Sequence, residues 1–197
     1  MFRAISVLFI IAGLALLGYG GYEYFTSKYN EGQRLSEAKE FVSTDVREGN
    51  IDFDYSVFGE GDTIGVLYIP KLDREIPIVE GTDEKELAQG VGHYSGTGFP
   101  GENKQILLSG HRDTVFRNFG ELEDGDEFHI QMEHGTFVYA IRDSETVIVP
   151  ANDTTVIDPS RKEEVLTVST CYPFSYIGDA PDRYILHSYP VTEKSNK

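Results

Sequence analysis

Residues 165–186 read VLTVSTCYPFSYIGDAPDRYIL, and this stretch indicates both how the chain folds and where its chemistry lies. It opens with apolar and β-branched residues that are typical of a buried strand, and Pro173 ends this strand soon after Cys171. The run Tyr184-Ile185-Leu186 predicts a second strand that begins next to Arg183. Strand ends and their loops are where rigid scaffolds present reactive side chains. If the two strands pair, a guanidinium lies near the thiol.

Cys171 is the only cysteine of the 197 residues, so it has no partner for an internal disulfide. Its remaining uses are as a nucleophile, as a link between two chains, or as a filler of the core. A nucleophilic thiol needs a base, and His111 is the best placed of the five histidines. His111 follows a strand-like run closed by Gly110, so it also lies where a strand ends. His93, in a glycine-rich loop, is the competing base.

Five segments of the chain, in order and at the family's spacing, make it resemble a sortase. They are GVLYIPKL (65–72), IPIVEGT (76–82), LAQGVGHY (87–94), GTGFPG (96–101) and SGHRDT (109–114). The first two resemble the family's opening hairpin, and the next two resemble the helix and loop that follow it. The segment CYPFSYIGDAPDRY (171–184) is similar to the class D branch of the family. Val168 stands where the family usually has leucine, an apolar exchange that affects no catalytic residue.

The resemblance implies a cysteine transpeptidase and assigns roles to six residues. The catalytic residues are Cys171, His111 and Arg183, and the substrate-binding residues are Thr170, Tyr172 and Ser109. Cys171 is expected to attack the carbonyl after the threonine of an LPxTG-like sorting signal in a secreted protein. An amine of a cell-wall precursor is then expected to resolve the thioester. Two alternatives stay open: a cysteine protease that releases the free acid, and a non-catalytic, membrane-anchored binding module.

Residues 4–22 contain no charged residue, which predicts a membrane-spanning helix. At ~1.5 Å per residue such a helix spans roughly the ~30 Å hydrocarbon core of a bilayer. A cleavable signal peptide is the alternative, but its apolar region is shorter, about 7–15 residues. We therefore assign residues 1–25 to an anchor that contacts membrane lipid. Lysine and arginine are nearly balanced on its two sides, so only the resemblance implies a cytoplasmic N-terminus and an extracellular catalytic domain.

The rest of the chain divides into a stalk, residues 26–62, and a catalytic domain, residues 63–197. Leu35, Ala38 and Val42 predict a helical stretch in the stalk. Short β-branched or aromatic runs separated by turns predict an all-β domain, a mostly antiparallel barrel or sandwich, and the resemblance implies a closed barrel. One or two short helices are expected, one of them at 84–89. About eight strands are predicted, at 63–69, 76–80, 105–109, 127–131, 136–144, 146–149, 165–171 and 184–189.

Two acidic segments allow more than one interpretation. Residues 52–55, DFDY, either form a lid like the acidic-aromatic plug of pilin-building sortases or make a packing contact, which we favour because no proline follows the aspartate. The second segment either supplies oxygens to Ca²⁺ or is a solvated hairpin tip, which we favour because it lacks the ligand order of an EF-hand. Its candidate ligands are Glu121, Glu123, Asp124 and Asp126. Apart from this calcium, no cofactor is expected.

The formal net charge is −16, from 17 basic and 33 acidic residues. A protein of this charge repels phosphates, which excludes nucleic acid as a partner and opposes docking on anionic lipid. The charge is typical of a well-solvated domain and favours neutral or cationic substrates.

Overall fold

A long N-terminal helix and a β-barrel make up the structure, a computed structural model that describes residues 2–42, 53–142 and 145–191. The helices are α1 (Phe2–Phe41) and α2 (Glu84–Leu87). The strands are β1 (Thr63–Ile69), β2 (Arg74–Glu80), β3 (Val91–His93), β4 (Gln105–Gly110), β5 (Glu127–Met132), β6 (Gly135–Ile141), β7 (Val147–Pro150), β8 (Val165–Tyr172) and β9 (Asp182–Pro190). Short 3₁₀ turns lie at Tyr55–Val57, Pro70–Leu72 and Phe119–Glu121.

The strands form a closed barrel in the order β6, β5, β1, β2, β3, β4, β8, β9, and the pairing of β6 with β9 closes the ring. β7 pairs with the first half of β9 and stays outside this ring. The pairs β2–β3 and β4–β8 are parallel, and the other pairings of the described strands are antiparallel. The predicted all-β, mostly antiparallel barrel is therefore confirmed.

The boundaries differ from the predicted ones in a few places. All eight predicted strands occur, but β3 was not predicted, and α2 ends at Leu87 rather than at 89. The last two residues of the predicted strand at 136–144 lie outside the described residues, as do 43–52 of the stalk and 192–197 of the catalytic domain.

The barrel is filled by side chains that alternate along each strand between its interior and its outer face. On β8, Leu166 and Val168 belong to the hydrophobic core, whereas the neighbouring Ser169 and Cys171 are only partly buried. Successive residues of a strand point to opposite faces of a sheet. Burial of the apolar residues therefore directs Cys171 to the outer face of the barrel.

The first half of α1 is apolar and exposed, and the helix is long and apolar enough to cross a membrane. One helix runs without a break through the boundary that we predicted between anchor and stalk at residues 25 and 26. With 40 residues it is about 60 Å long, roughly twice the thickness of the hydrocarbon core. If one half of α1 crosses a bilayer, the other half therefore extends beyond it.

The second half of α1 docks on the barrel beside β1 and β2. Ala38 is completely buried there, and Arg34 Nε donates a hydrogen bond of 2.7 Å to Gln89 Oε1, just beyond α2. An ion pair between Lys39 and Glu75 joins the end of the helix to β2. These contacts fix the helix to the catalytic domain.

We expect Ala38→Asp to undock α1, because the substitution places a charge in a fully buried contact. A destabilisation of about 2 kcal/mol lowers the Tm of a chain of this size by about 4–8 °C. Calorimetry of the full chain in detergent measures this change. Ser36→Asp, which adds the same charge at an exposed position of the helix, is the control and is expected to change the Tm little. Equal Tm values for the two variants would show that the docking contributes no stability.

Candidate active site

The register of three neighbouring strands brings Cys171, His111 and Arg183 together. β4 and β8 are parallel and pair Gly110 with Thr170, so His111, the next residue after Gly110, lies beside Cys171. β8 and β9 are antiparallel and pair Cys171 directly with Arg183. All three residues are separated by an odd number of positions from the core residues of their strands. They therefore lie on the outer face of the barrel.

These residues line one cleft of about 580 Å³ on that face. Ser109 and Thr170 also line it, as the sequence predicts. One wall comes from Glu84 and Leu87 of α2. The others come from Ala151, which follows β7, and from Gly178, Asp179 and Ala180 in the connection between β8 and β9. The cleft is partly open to solvent and can admit an extended peptide.

Gly110 allows the residues that follow His111 to pack closely against the end of β4. A Cβ at Gly110 would lie 2.6 Å from Val115 Cγ2 and 2.7 Å from Phe116 Cε2, so no side chain fits there. The chain then turns back, and the amide of Phe116 donates to the His111 carbonyl at 3.0 Å. The turn leaves the imidazole partly exposed, with Nε2 3.6 Å from Glu84 Oε1.

Thr170 is buried, and its hydroxyl donates a hydrogen bond of 2.8 Å to the Gly110 carbonyl. This bond ties the end of β4 to β8 immediately before His111 and Cys171. The hydroxyl is therefore engaged in holding the two catalytic strands in register.

Arg183 is held by the backbone of its own loop. Its Nη1 donates to the carbonyls of Asp182, at 3.1 Å, and Ala180, at 3.4 Å. Among the described residues it makes no ion pair with a carboxylate, including those of the nearby Asp179 and Asp182. A guanidinium has five N–H donors in a planar fork, and Nη1 accounts for only two of them.

Tyr172 is the predicted site residue that the structure does not place on the cleft. Its ring lies 5.3 Å from that of Phe174 and 6.0 Å from that of Tyr184, on the opposite face of β8 from Cys171. Alternation along the strand causes this separation, because adjacent residues point to opposite faces. Tyr172 contacts the loop after the nucleophile instead.

His93, the competing base, is buried and away from the cleft. Its Nδ1 lies 2.6 Å from Glu80 Oε2, and its Nε2 donates to the Gly98 carbonyl at 3.0 Å. The Nδ1 contact joins β3 to β2, and the Nε2 bond fastens the loop between β3 and β4. His111 is the histidine on the cleft.

The two acidic segments lie elsewhere. Phe53 stacks on His134 with ring centroids 4.2 Å apart, and Tyr55 stacks on Phe99 at 4.4 Å, so this part of the segment packs on the barrel and does not line the cleft. Asp52 lies outside the described residues. In the other segment, Lys71 Nζ lies 3.4 Å from Glu123 and 3.6 Å from Asp126. Glu121 lines a groove next to the cleft. Asp124 lies in the turn between Glu123 and Asp126.

Comparison with known proteins agrees with this geometry. The sortase domain family model matches residues 67–191. Sortase D of Bacillus subtilis is 43% identical over 203 residues, which cover 98% of this chain and 100% of that protein.

The chain belongs to the sortase family. The structure of a Sortase D5 transpeptidase from Clostridium perfringens is 28% identical, with a TM-score of 0.68, and the match covers 83% of this chain and 99% of that one. Sortase E1 from Streptomyces coelicolor, solved with a tripeptide in the active site, is 29% identical with a TM-score of 0.61, over 68% of this chain and 91% of that one. Sortases are cysteine transpeptidases, so this chain is an enzyme and not a non-catalytic binding module.

Two groups that fasten connections between the strands of the sortase barrel were not singled out from the sequence. Arg112 Nη2 donates to the carbonyls of Tyr176, at 2.6 Å, and Gly178, at 2.9 Å, and so holds the connection between β8 and β9. Gln105 Nε2 donates to the Val156 carbonyl at 2.7 Å and fastens the connection between β7 and β8. The backbone carbonyls that accept these three hydrogen bonds leave no trace in the sequence of side chains.

Gln105 belongs to a short hydrogen-bond chain on the outer face. Its Nε2 also donates to Thr167 Oγ1, at 2.9 Å, and Thr167 Oγ1 lies 3.1 Å from His187 Nδ1. Burial, with the nearby charge of Arg161, lowers the pKa of His187, which favours a neutral ring that accepts from the threonine.

We expect Thr170→Val to weaken both the fold and catalysis in this sortase. Valine has nearly the same shape but leaves the buried Gly110 carbonyl without its hydroxyl donor, at a cost of about 1–3 kcal/mol. Denaturant unfolding and peptide-cleavage kinetics measure the two effects, and turnover is expected to fall more than KM rises. Thr170→Ser keeps the donor and is the control. A valine variant equal to the wild type in both measurements would contradict this role.

Proposed function

We propose that this sortase is membrane-anchored and cleaves an LPxTG-like sorting signal of secreted proteins after its threonine. Cys171 forms a thioester with the threonine acyl group, which passes to an amine of a cell-wall precursor. The observation that supports this most strongly is the pairing of Cys171 with Arg183 in one cleft with His111.

In the first step the Cys171 thiolate attacks the carbonyl carbon of the threonine. The thiolate, not the thiol, is the nucleophile, and His111 and Arg183 line the same cleft as Cys171. The carbonyl oxygen becomes an oxyanion. The C–N bond then breaks as His111 protonates the departing amine, which leaves the acyl group on sulfur.

In this proposal, Arg183 stabilises the oxyanion. It lies opposite Cys171 in the ladder, so a carbonyl under attack by sulfur develops its charge beside the guanidinium. The bonds from Nη1 to Ala180 and Asp182 hold the group in place before the substrate arrives. Preorganised donors of this kind cost no reorganisation during the reaction.

In the second step an amine attacks the thioester carbonyl, its proton passes to His111, and the Cys171 thiolate leaves. The product is a new amide. Ser109 and the backbone near Thr170 line the cleft where the sorting signal lies, and Tyr172 fixes the loop behind the nucleophile.

The long helix supports a site close to a membrane. If residues 4–22 span the bilayer, the first contact of α1 with the barrel, from Ser27 to the Ala88 carbonyl, follows only about 8 Å further along the helix. The N-terminus is cytoplasmic and the barrel extracellular in this arrangement. Both a newly secreted substrate and a lipid-linked precursor are within reach.

The fate of the acyl group tests the proposal. We expect the full chain in detergent, given an LPxTG-type peptide and a primary amine such as triglycine or a diaminopimelate, to produce the amide at the expense of the free acid. Chromatography with mass spectrometry separates the two products. Cys171→Ala is the control and is expected to yield neither. Rapid release of acid with no amide across a panel of amines would identify a cysteine protease instead.

A second test concerns the oxyanion. We expect Arg183→Lys to lower kcat by roughly 10²–10³, because a point charge loses the planar fork and one oxyanion donor is worth about 2.7–4 kcal/mol. Steady-state kinetics with the same peptide measure the change, and an unchanged Tm shows that the fold is intact. Turnover near the wild-type rate would make Arg183 a structural residue.

A further inference from the structure

A second groove, of about 420 Å³, adjoins the catalytic cleft. Arg112 and Asp113, the two residues after His111, line both the cleft and the groove. From there the groove runs along the turn at 117–121 to Phe174, in the connection between β8 and β9. The two spaces therefore meet beside the catalytic histidine.

The arginines of the barrel fall into two groups according to their partners. Three of them pair with a carboxylate at 3.3 to 3.8 Å, namely Arg74, Arg142 and Arg161. Three others make no ion pair with any carboxylate of the described residues, namely Arg112, Arg117 and Arg183. All three of these line the cleft or the groove. In a chain with 33 acidic and 17 basic residues, this concentration of unneutralised guanidinium groups gives the site a local potential opposite to the net charge.

Arg117 is held by the backbone of its own turn. Its Nε and Nη2 both donate to the Asp113 carbonyl, at 3.3 Å and 2.8 Å. The bond from the Phe116 amide to the His111 carbonyl closes this turn and brings Arg117 back toward the catalytic histidine. A guanidinium has five N–H donors, so these two bonds leave three. The exposed side chain therefore presents an oriented fork of donors, which suits a carboxylate.

The other charged residues of the groove fit a ligand that carries both signs. Arg112 adds positive charge, although its Nη2 is engaged by the carbonyls of the connection between β8 and β9. Asp113 is exposed where the groove meets the cleft, so it attracts an ammonium group there. Glu121, also exposed, is the part of the lining that opposes an anion. The groove thus suits a molecule with an amine toward the cleft and a carboxylate toward Arg117.

An aromatic floor lies between these charges. Phe119 and Phe174 both line the groove, and the Phe174 ring is fixed against Tyr184, with centroids 5.1 Å apart. A Cβ at Gly120 would lie 2.7 Å from Phe174 Cε2, so the backbone packs directly on the ring. Such a floor is suited to the methylene groups of an aliphatic chain.

We infer that Arg117 binds a carboxylate of the amine acceptor in this groove. Because this role concerns the amine that attacks the thioester, it rests on the proposed function. His111 takes the proton of that amine, so the amine lies beside His111, where the groove meets the cleft. The aliphatic chain of the acceptor then passes over Phe174 to Arg117. The preferred acceptor is an amine with a carboxylate on the same chain, rather than a neutral alkylamine.

Binding is tested without a sorting peptide, by saturation-transfer NMR on the full chain in detergent. The probes are ω-amino acids of increasing chain length, from glycine to 6-aminohexanoate, and the amide of each is the matched probe without the carboxylate. We expect the acid of the best length to bind about fivefold more tightly than its amide, which is the size typical of one exposed ion pair.

Four variants assign this preference to a residue. Arg117→Gln removes the guanidinium and is expected to abolish the preference, whereas Arg117→Lys keeps the charge without the fork and is expected to retain part of it. Glu121→Gln removes the opposing charge and is expected to raise the preference about twofold. Lys162→Gln, which removes an exposed positive charge elsewhere, is the control and is expected to leave the preference unchanged.

The transfer reaction measures the consequence for catalysis. An acid probe and its amide compete for the thioester formed from an LPxTG-type peptide, and mass spectrometry gives the ratio of the two amide products. We expect the ratio to favour the acid by about fivefold in the wild type and to fall to about one in Arg117→Gln.

Equal binding of acid and amide by the wild type would overturn the inference, as would an equal loss of preference in Lys162→Gln, which would assign it to net charge. A sorting peptide with an acidic residue beyond the scissile bond tests the other source of a carboxylate. If Arg117→Gln raises KM for that peptide and leaves the probes unaffected, the groove belongs to the departing segment and the inference is wrong. Amides formed equally from both probes by the wild type and Arg117→Gln would overturn the groove and leave the transfer intact. Acid-selective binding through Arg117 with no amide product would support the groove and contradict the transfer.

Discussion

The pairing of β4, β8 and β9 in a single register is the constraint on which the rest of the site depends. Gly110 lies opposite Thr170 and Cys171 opposite Arg183, so the register brings His111, Cys171 and Arg183 to one cleft. A slip of one residue would turn every side chain of a strand to the other face. Burial of Leu166 and Val168 prevents such a slip, so the hydrophobic core also fixes the chemistry.

Most strands can be predicted from the sequence, because a run of β-branched residues by itself favours a buried strand. β3 is the exception, since Val91–His93 is short and has a glycine at its centre. Gly92 is required there because a Cβ would lie 2.4 Å from the Gly81 carbonyl oxygen and 2.9 Å from a methyl group of Leu87. That close approach exists only after the chain has folded, so composition and alternation give no sign of it.

Those residues of the candidate site can be predicted whose proposed role follows from their residue type and their position at the end of a strand. His111, Cys171 and Arg183 follow from strand ends and from the resemblance of their segments to a family. The function of Arg112 depends on two backbone carbonyls, at Tyr176 and Gly178. Tertiary structure brings these carbonyls to Arg112, and the contact has no characteristic spacing in the sequence.

The proposed membrane arrangement depends on a balance between two opposing effects. A net charge of −16 repels the barrel from anionic lipid, so electrostatics alone would keep the cleft away from a bilayer surface. The docking of α1 through Ala38 and Arg34 opposes this, because a continuous helix converts the anchor into a rigid support. A flexible stalk would let the domain move through a layer tens of ångströms deep. In the proposed arrangement, the rigid connection instead holds the cleft in a narrow layer beside the bilayer.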